Sequence, residues 1–372
     1  MIKVGITGQN GFIGTHLYNT ISLFTESYRL IDFEDYFFEK EDKIDAFVSQ
    51  CDVIVHLAAM NRHSDAKVIY KTNIGLVNSL VASLKRTDSA AHIIMSSSSQ
   101  EEKDNLYGKS KKNGRKLFID WQRNSKGLFT GLIIPNVFGP FGKPNYNSVI
   151  ATFCHKIANN KKPEIHVDGT VSLIYVGELV KEILSVIGQR ESNKKLEIKS
   201  TFQIKVSEIL KHLNLFKKKY LENGEIPMLN STFELNLFNT FRCYMDIKNH
   251  FPVQFKQNTD ARGSFVEIIR SGIGGQFSFS TTLPGITRGN HFHTRKIERF
   301  SVIKGKALIQ LRKIGSDEVL DFYLDGDNPA YVDMPIWYTH NIKNIGDEIL
   351  FTNFWINEAY NPEDADTYFV NV

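Results

Sequence analysis

The stretch Gly285–Gly305, GITRGNHFHTRKIERFSVIKG, decides the fold of the C-terminal part of this chain. Side chains alternate faces along a β-strand, so His291 and His293 share one face while Phe292 takes the other. Glu298 lies too far along to share that face on the same strand, but a turn onto the next strand would return its carboxylate to the imidazoles. Two nitrogens and one oxygen, with a fourth ligand from elsewhere, suit a divalent first-row metal, zinc being the default for His/Glu ligation.

This spacing resembles the first cupin motif, which is met at Gly285, His291, His293, Glu298 and Gly305. The proline, histidine and asparagine of the second cupin motif are met at Pro335, His340 and Asn344, with Trp337 standing where the family usually has glycine. The resemblance implies a β-barrel that holds zinc on His291, His293, Glu298 and His340. The runs from Phe251 onward, VQFK, SFVEIIR, GQFSFSTTL, RFSVIKGKALIQLRK, EVLDFYL, AYVDM and ILFTNFWI, are short strand patterns at sandwich or barrel spacing. Residues 248–372 are therefore expected to form an all-β cupin barrel, with a separate domain over 1–247.

The whole-chain figures set bounds. A length of 372 residues accommodates two domains with filled cores, and 42% hydrophobic with 23% charged residues describes an ordinary globular protein. A net charge of +4 is too slight to argue for nucleic acid. MIKVGITG runs straight into an apolar strand without the regions of a secretory signal, and no run approaches a membrane span. The expectation is a cytoplasmic protein without nucleic-acid or membrane partners. Cys51, Cys154 and Cys243 are far apart and odd in number, so neither a disulfide framework nor a CxxC metal site is expected.

At the N-terminus IKVGIT reads as a buried strand, and GQNGFIG then places Gly8, Gly11 and Gly14 three apart before a helical pattern. Such glycines let backbone approach a pyrophosphate, whose charge sits at the partly positive helix N-terminus; Phe12 and Ile13 lie in the same loop. Asp32 ends the next strand, where an acidic side chain commonly meets the adenine-side ribose and favours NAD over NADP. The strand DVIVHLAA closes on Leu57, Ala58 and Ala59, small enough at its end for a cofactor to lie close above the sheet. GxxGxxG, HLAA at His56–Ala59 and TNIGLVNSL from Thr72 together resemble the extended short-chain dehydrogenases, which implies an α/β Rossmann-type domain.

The strand HIIMSSSS delivers consecutive serines to its C-terminal end, where open α/β sheets bind ligands. Tyr107 and Lys111 follow, four apart and on one helix face. A nearby ammonium is expected to lower the phenol's pKa and ease proton donation to a carbonyl oxygen as hydride arrives from nicotinamide. Ser98 is the favoured third member of this site and Ser97 the alternative. Asn73 matches a family asparagine with a structural or water-binding role, and NVFGP resembles the family's NVYGP, which makes Asn136 a substrate-binding candidate. Ser172 replaces an arginine often used against the nucleotide diphosphate, leaving Lys143, Lys156, Lys161 and Lys162 as cationic alternatives.

DARGSFVE, Asp260–Glu267, and RGNH, in which Arg288 is a substrate-binding candidate, resemble the sugar-epimerase branch of the cupins. A hydrogen beside a ketone is acidic, and reduction abolishes that acidity, so epimerisation must precede reduction if both halves act on one sugar. The two-part arrangement resembles the bifunctional capsular-polysaccharide epimerase/reductases of the CapF/WbjC type across the whole chain. That resemblance implies a UDP-linked 4-keto-6-deoxy amino sugar as substrate, C3 epimerisation, and reduction to UDP-2-acetamido-2,6-dideoxy-L-talose towards N-acetyl-L-fucosamine. It also implies NADPH as cofactor, with NADH the alternative that Asp32 favours, zinc in the cupin, and a homodimer. His291 aligns with the base of metal-free sugar-epimerase cupins, but a metal-bound imidazole has no free lone pair, so the base stays open among Lys296, Arg299, Tyr338 and Tyr360. A competing reading places both reactions in the dehydrogenase domain with the cupin as a dimerisation module; a third, a sensor with a dead dehydrogenase fold, fits poorly with an intact Tyr107 and Lys111.

Overall fold

The computed structural model of the chain describes residues 1–261 and 263–372; Arg262, the arginine of the DARGSFVE segment, lies outside the described residues. The chain divides into two compact units, Met1–Val149 with Asp168–Val206, and Ile150–Val167 with Ser207–Val372.

The first unit alternates strand and helix: β1 (Ile2–Thr7), α1 (Phe12–Ile21), β2 (Tyr28–Ile31), α2 (Glu41–Gln50), β3 (Val53–His56), α3 (Ala66–Arg86), β4 (His92–Ser98), α4 (Leu106–Arg123) and β5 (Leu128–Ile134). It continues through β6 (Asn136–Phe138), β7 (Thr170–Tyr175), α6 (Val176–Gln189), β8 (Asn193–Glu197) and β9 (Phe202–Lys205); α5 (Val149–Ala158), between β6 and β7 in the chain, belongs to the second unit. The main sheet is parallel, in the order β2-β1-β3-β4-β5-β8. Its strands are apolar runs because parallel strands covered by helices are buried on both faces. Neighbouring side chains accordingly divide between two cores: Ile54 and Ile93 pack with Phe47, Phe118 and Trp121, whereas Val53, Val55 and Ile94 pack with Leu17, Ile183 and Ile187. The chain leaves β1 for β2 on one side and returns to β3 on the other. That reversal opens the crevice at the strand C-termini where such sheets bind dinucleotides.

The second unit carries α7 (Val206–Phe216), α8 (Thr232–Arg242), α9 (Ile247–His250), β10 (Val253–Gln254), β11 (Gln257–Asp260), β12 (Gly263–Val266), β13 (Gln276–Thr282) and β14 (Thr287–Phe292). It closes with β15 (Glu298–Lys304), β16 (Lys306–Lys313), β17 (Val319–Asp325), β18 (Ala330–Met334), β19 (Tyr338–Asn344), β20 (Leu350–Ile356) and β21 (Tyr368–Phe369). Apart from β11 and β12, which pair with each other, these strands form two antiparallel five-stranded sheets, β10-β18-β15-β20-β13 and β17-β16-β19-β14-β21, as the cupin resemblance led one to expect. The run RFSVIKGKALIQLRK, continuous in its strand pattern, breaks into β15 and β16 at Gly305, whose φ of +86° lets the chain turn back.

Residues 150–167 and 207–247, expected in the first domain, belong to the compact unit of the barrel. The Arg299 guanidinium donates to both oxygens of Asp333 at 2.7 and 3.0 Å, and the Tyr220 hydroxyl donates to Asp333 at 2.6 Å. Arg242 donates to the Tyr220 oxygen at 3.2 Å and to the Met334 carbonyl at 3.0 Å. All four side chains are buried; Arg299 and Asp333 pair their charges out of water, Arg242 keeps Nη1 without a hydrogen-bond partner, and the helical segment is held to β15 and β18. Among the described residues no helix is long and apolar enough to cross a membrane.

Candidate active site and metal centre

The glycine loop fits a dinucleotide because two positions leave no room for side chains. Gly8 has φ +74°, and a Cβ there would stand 2.8 Å from the Ala58 nitrogen. A Cβ on Gly14 would stand 2.2 Å from the Gly8 carbonyl oxygen, and the Gly11 N–H donates to that same oxygen at 3.0 Å. Gly11 is the N-cap of α1 and offers no side chain to its first turn, so the amides beside Phe12 and Ile13 are left for an anion. Leu57, Ala58 and Ala59 are held opposite: the Leu57 N–H donates to the Thr7 carbonyl, and Asn73 accepts from the Met60 N–H at 2.7 Å and donates to its carbonyl at 2.9 Å. Asn73 is thus structural, anchoring the segment that a cofactor would lie against. Asp32 is exposed immediately after β2.

Tyr107 and Lys111 stand on α4, which begins where the Asn105 side chain accepts from the Gly108 N–H at 2.7 Å. A Cβ on Gly108 would stand 2.0 Å from the Gln100 carbonyl, so glycine there is what allows so short a connection between the serines and the helix. Lys111 is buried, donates to the Ser96 carbonyl at 2.9 Å, and holds its ammonium 5.9 Å from the centre of the Tyr107 ring. Burial lowers the Lys111 pKa to about 8 against a supporting charge from Glu101. The expected lowering of the Tyr107 phenol is not seen: burial, with Tyr146 beside it, raises it to about 12. Desolvation of the phenolate outweighs an ammonium at this distance.

The serines divide by their bonds. The Ser97 hydroxyl donates to the buried carboxylate of Glu101, which Arg115 holds at 2.9 and 2.7 Å. The Ser98 oxygen accepts from the Gln100 N–H at 3.2 Å, which leaves its own proton to donate. Glu101 and Arg115 were missed in the sequence; their only signal was an acidic pair directly after an apolar strand. Asn136 opens β6, exposed, and donates to the Ser172 carbonyl at 3.3 Å, without a contact to Tyr107 or Lys111 among the described residues.

In the barrel, His291, His293, Glu298 and His340 each offer a ligand atom, all within 4.8 Å of one another. Glu298 opens β15, the strand after the HxH run, while His340 lies opposite His291 across β14 and β19. A bulge between Gly289 and His291 sets that pairing, with Asn290 at φ +59° and its side-chain oxygen accepting from Asn341 at 3.1 Å. Arg288 stands exposed on the same strand and outside the cluster.

The hydrogen bonds around the cluster fix its chemistry. His293 donates from Nδ1 to the Asp366 carbonyl at 2.6 Å, and His340 donates from Nδ1 to the Tyr338 carbonyl at 3.2 Å. Both imidazoles therefore turn Nε2 towards Glu298, whose Oε2 lies 3.1 Å from each; burial opposes protonation of His293, yet its hydrogen bond to Glu298 raises its pKa. His340 Nε2 is buried and has no hydrogen-bond partner. Two ring nitrogens and a carboxylate converging in a buried site suit a proton or a metal cation between them, and distal N–H groups tied to carbonyls are the usual support of metal-bound histidines. Burial opposes ionisation of Glu298, yet the two imidazoles hold its carboxyl well below the usual carboxylate range. Burial, and next the His340 charge, lower His291 to about 4, so it is neutral and fit to ligate. The Asp366 and Tyr338 carbonyls have no sequence signature.

Trp337 explains its own departure from the cupin pattern. It sits at φ +62°, a conformation that favours the glycine found there in the family, and it donates its N–H to the His293 carbonyl at 2.8 Å. Its ring packs 5.4 Å from Phe292, which offsets the backbone cost by burial.

Residues 4–199 match the NAD dependent epimerase/dehydratase family, and residues 258–368 match the polysaccharide biosynthesis C-terminal domain. The chain is 30% identical to the UDP-2-acetamido-2,6-beta-L-arabino-hexul-4-ose reductase of Pseudomonas aeruginosa, over 100% of this chain and 99% of that protein. It is 34% identical to the capsular polysaccharide assembling protein CapF of Staphylococcus aureus, with a TM-score of 0.63 and 100% of both chains covered. The spore coat polysaccharide biosynthesis protein SpsL of Bacillus subtilis is 26% identical over 30% of this chain. With its nicotinamide-type cradle and its antiparallel barrel, the chain belongs to the NAD dependent epimerase/dehydratase family and, within it, to the CapF type of capsular-polysaccharide epimerase/reductase.

Proposed function

We propose that the chain performs two successive reactions on a UDP-linked 4-keto-6-deoxy-N-acetylhexosamine: the barrel inverts C3, and the dehydrogenase unit then reduces the C4 ketone to UDP-2-acetamido-2,6-dideoxy-L-talose. What carries this reading is the presence of two separate chemical sites in one chain, Tyr107 with Lys111 and the four-ligand cluster, in a protein similar over its whole length to a UDP-hexulose reductase. When bound, a reduced nicotinamide dinucleotide supplies hydride to the ketone. Tyr107, protonated at neutral pH, gives its proton to the ketone oxygen as charge develops there, and the Ser98 hydroxyl donates to the same oxygen. Lys111 holds positive charge close to the phenol, and Asn73 keeps the segment Leu57–Met60 in place. His291, His293, Glu298 and His340 would hold a divalent ion, zinc by their ligand chemistry, which supplies positive charge near a substrate carbonyl or braces the fold. Resemblance to the capsular enzymes implies NADPH as the dinucleotide, an expectation that the acidic residues after β2 do not fit. A homodimer is supported by Phe277 and Phe279, exposed side by side on the edge strand β13.

The testing experiment supplies the keto sugar nucleotide and reduced dinucleotide in deuterated water. The expected result is deuterium at C3, an L-talo product, and C3 exchange that continues when dinucleotide is withheld. Exchange that stops in the Tyr107→Phe variant would instead support both reactions in one dehydrogenase site. A second expectation follows from Lys111. Its ammonium is charged below about pH 8 and neutral above, so kcat/KM for reduction falls as pH rises through that value, while C3 exchange measured alone does not follow the same limb.

A further inference from the structure

We propose that this chain selects NADH over NADPH, with Asp32 as the deciding residue; the proposal rests on the nicotinamide reading of the glycine cradle. The two dinucleotides differ only at the adenosine 2′-position, a hydroxyl in one and a phosphate of nearly two negative charges in the other. The position of that group follows from the cradle: the pyrophosphate lies at the first turn of α1, and the ribose then falls beyond the end of the neighbouring strand β2, where Asp32 stands exposed.

The segment is held there. The Gln9 side chain, inside the glycine loop, donates to the Phe33 carbonyl at 2.7 Å, which ties the backbone beside Asp32 to the cradle itself. Glu34 and Asp35 are exposed in the same stretch, and no lysine or arginine occurs among residues 8–14 or 32–39. Arg29 lies earlier on β2 and Lys40 beyond the turn of Asp35–Glu39. Asp32, Glu34 and Asp35 make no side-chain ion pair among the described residues, so their charge is not already cancelled. A 2′-hydroxyl donates a hydrogen bond to such a carboxylate; a 2′-phosphate meets like charge and no cation.

Binding to the full chain is measured by calorimetry, with NADH, NADPH, ADP-ribose and 2′-phospho-ADP-ribose as probes. The expected result is a Kd for NADH at least about 30-fold below that for NADPH, about 2 kcal/mol, with a similar ratio for the ADP-ribose pair, which lacks nicotinamide. Raising salt should narrow the gap by screening the repulsion. Asp32→Ala should bring the ratio within about fivefold, and Asp32→Ala with Glu34→Arg should invert it, at an exposed position where neither change disturbs packing. Equal or tighter binding of NADPH by the unaltered chain would overturn the preference and leave the reductase reading standing. A preference for NADH that Asp32→Ala leaves intact would overturn the role of Asp32. Failure of every probe to bind at millimolar concentration would overturn the nicotinamide reading and this proposal with it.

Discussion

Tyr107→Phe should lower the rate of ketone reduction by about 10³-fold, some 4 kcal/mol of transition-state stabilisation, while leaving deuterium exchange at C3 unchanged. The substitution removes one hydroxyl and keeps the ring that α4 presents, so the fold and the Lys111 contact with the Ser96 carbonyl survive. The size of the effect comes from the state of the phenol. Burial and Tyr146 raise it to about 12, so at neutral pH the oxygen carries its proton and acts as a donor, not as a base awaiting one. Phenylalanine offers nothing in its place, and the Ser98 hydroxyl can supply a hydrogen bond but not the proton that the alkoxide must gain. Single-turnover absorbance of the reduced dinucleotide measures the loss directly. A decrease under about tenfold would show that another group supplies the proton and that Tyr107 only lines the site.

How far these sites were legible in the sequence depended on the range of the forces that build them. The glycine loop, the Tyr107–Lys111 pair and the HxH run are local: strand alternation and helical spacing alone bring their members to one face. His340, on a strand distant in sequence, was placed only by the resemblance to the second cupin motif, and Glu298 because a single turn returns it. What stayed illegible was decided by contacts across long stretches of chain. The Ser97 proton is taken by Glu101 because Arg115, on the next helix, holds that carboxylate in place. Nothing in the charged run around Tyr220 signals that Asp333, more than a hundred residues on, accepts a hydrogen bond from its hydroxyl and is neutralised by Arg299. Trp337 departed from the cupin pattern at a position whose positive φ no strand pattern displays.

Stripping the metal should lower the melting temperature of the second unit by about 10 °C, and Glu298→Gln should abolish that response. The ligand stabilisation of a site filled at a thousand times its Kd is about 4 kcal/mol, and about 2–4 °C per kcal/mol is the expected shift for a unit of this size. The cause lies in the orientation fixed by Asp366 and Tyr338: with both Nδ1 protons given to carbonyls, the two Nε2 atoms face the Glu298 carboxylate, and their lone pairs are what a metal would take in place of a proton. Without a cation, the buried His340 Nε2 is left without a hydrogen-bond partner. Glutamine keeps the shape of Glu298 but places an amide donor against those lone pairs, so the variant should fold without metal and melt at the same temperature with or without chelator. Metal content by elemental analysis should be near one ion per chain for the unaltered protein and near zero for the variant. An unaltered protein that contains no metal and melts indifferently to chelator would remove the ion from this cluster. The same variant then separates the two roles left to the metal: if C3 exchange persists in folded, metal-free Glu298→Gln, the ion braces the barrel and the acidity of the C3 hydrogen comes from protein groups alone. If exchange is lost while the fold is kept, the positive charge at the cluster is what makes that hydrogen acidic enough to leave.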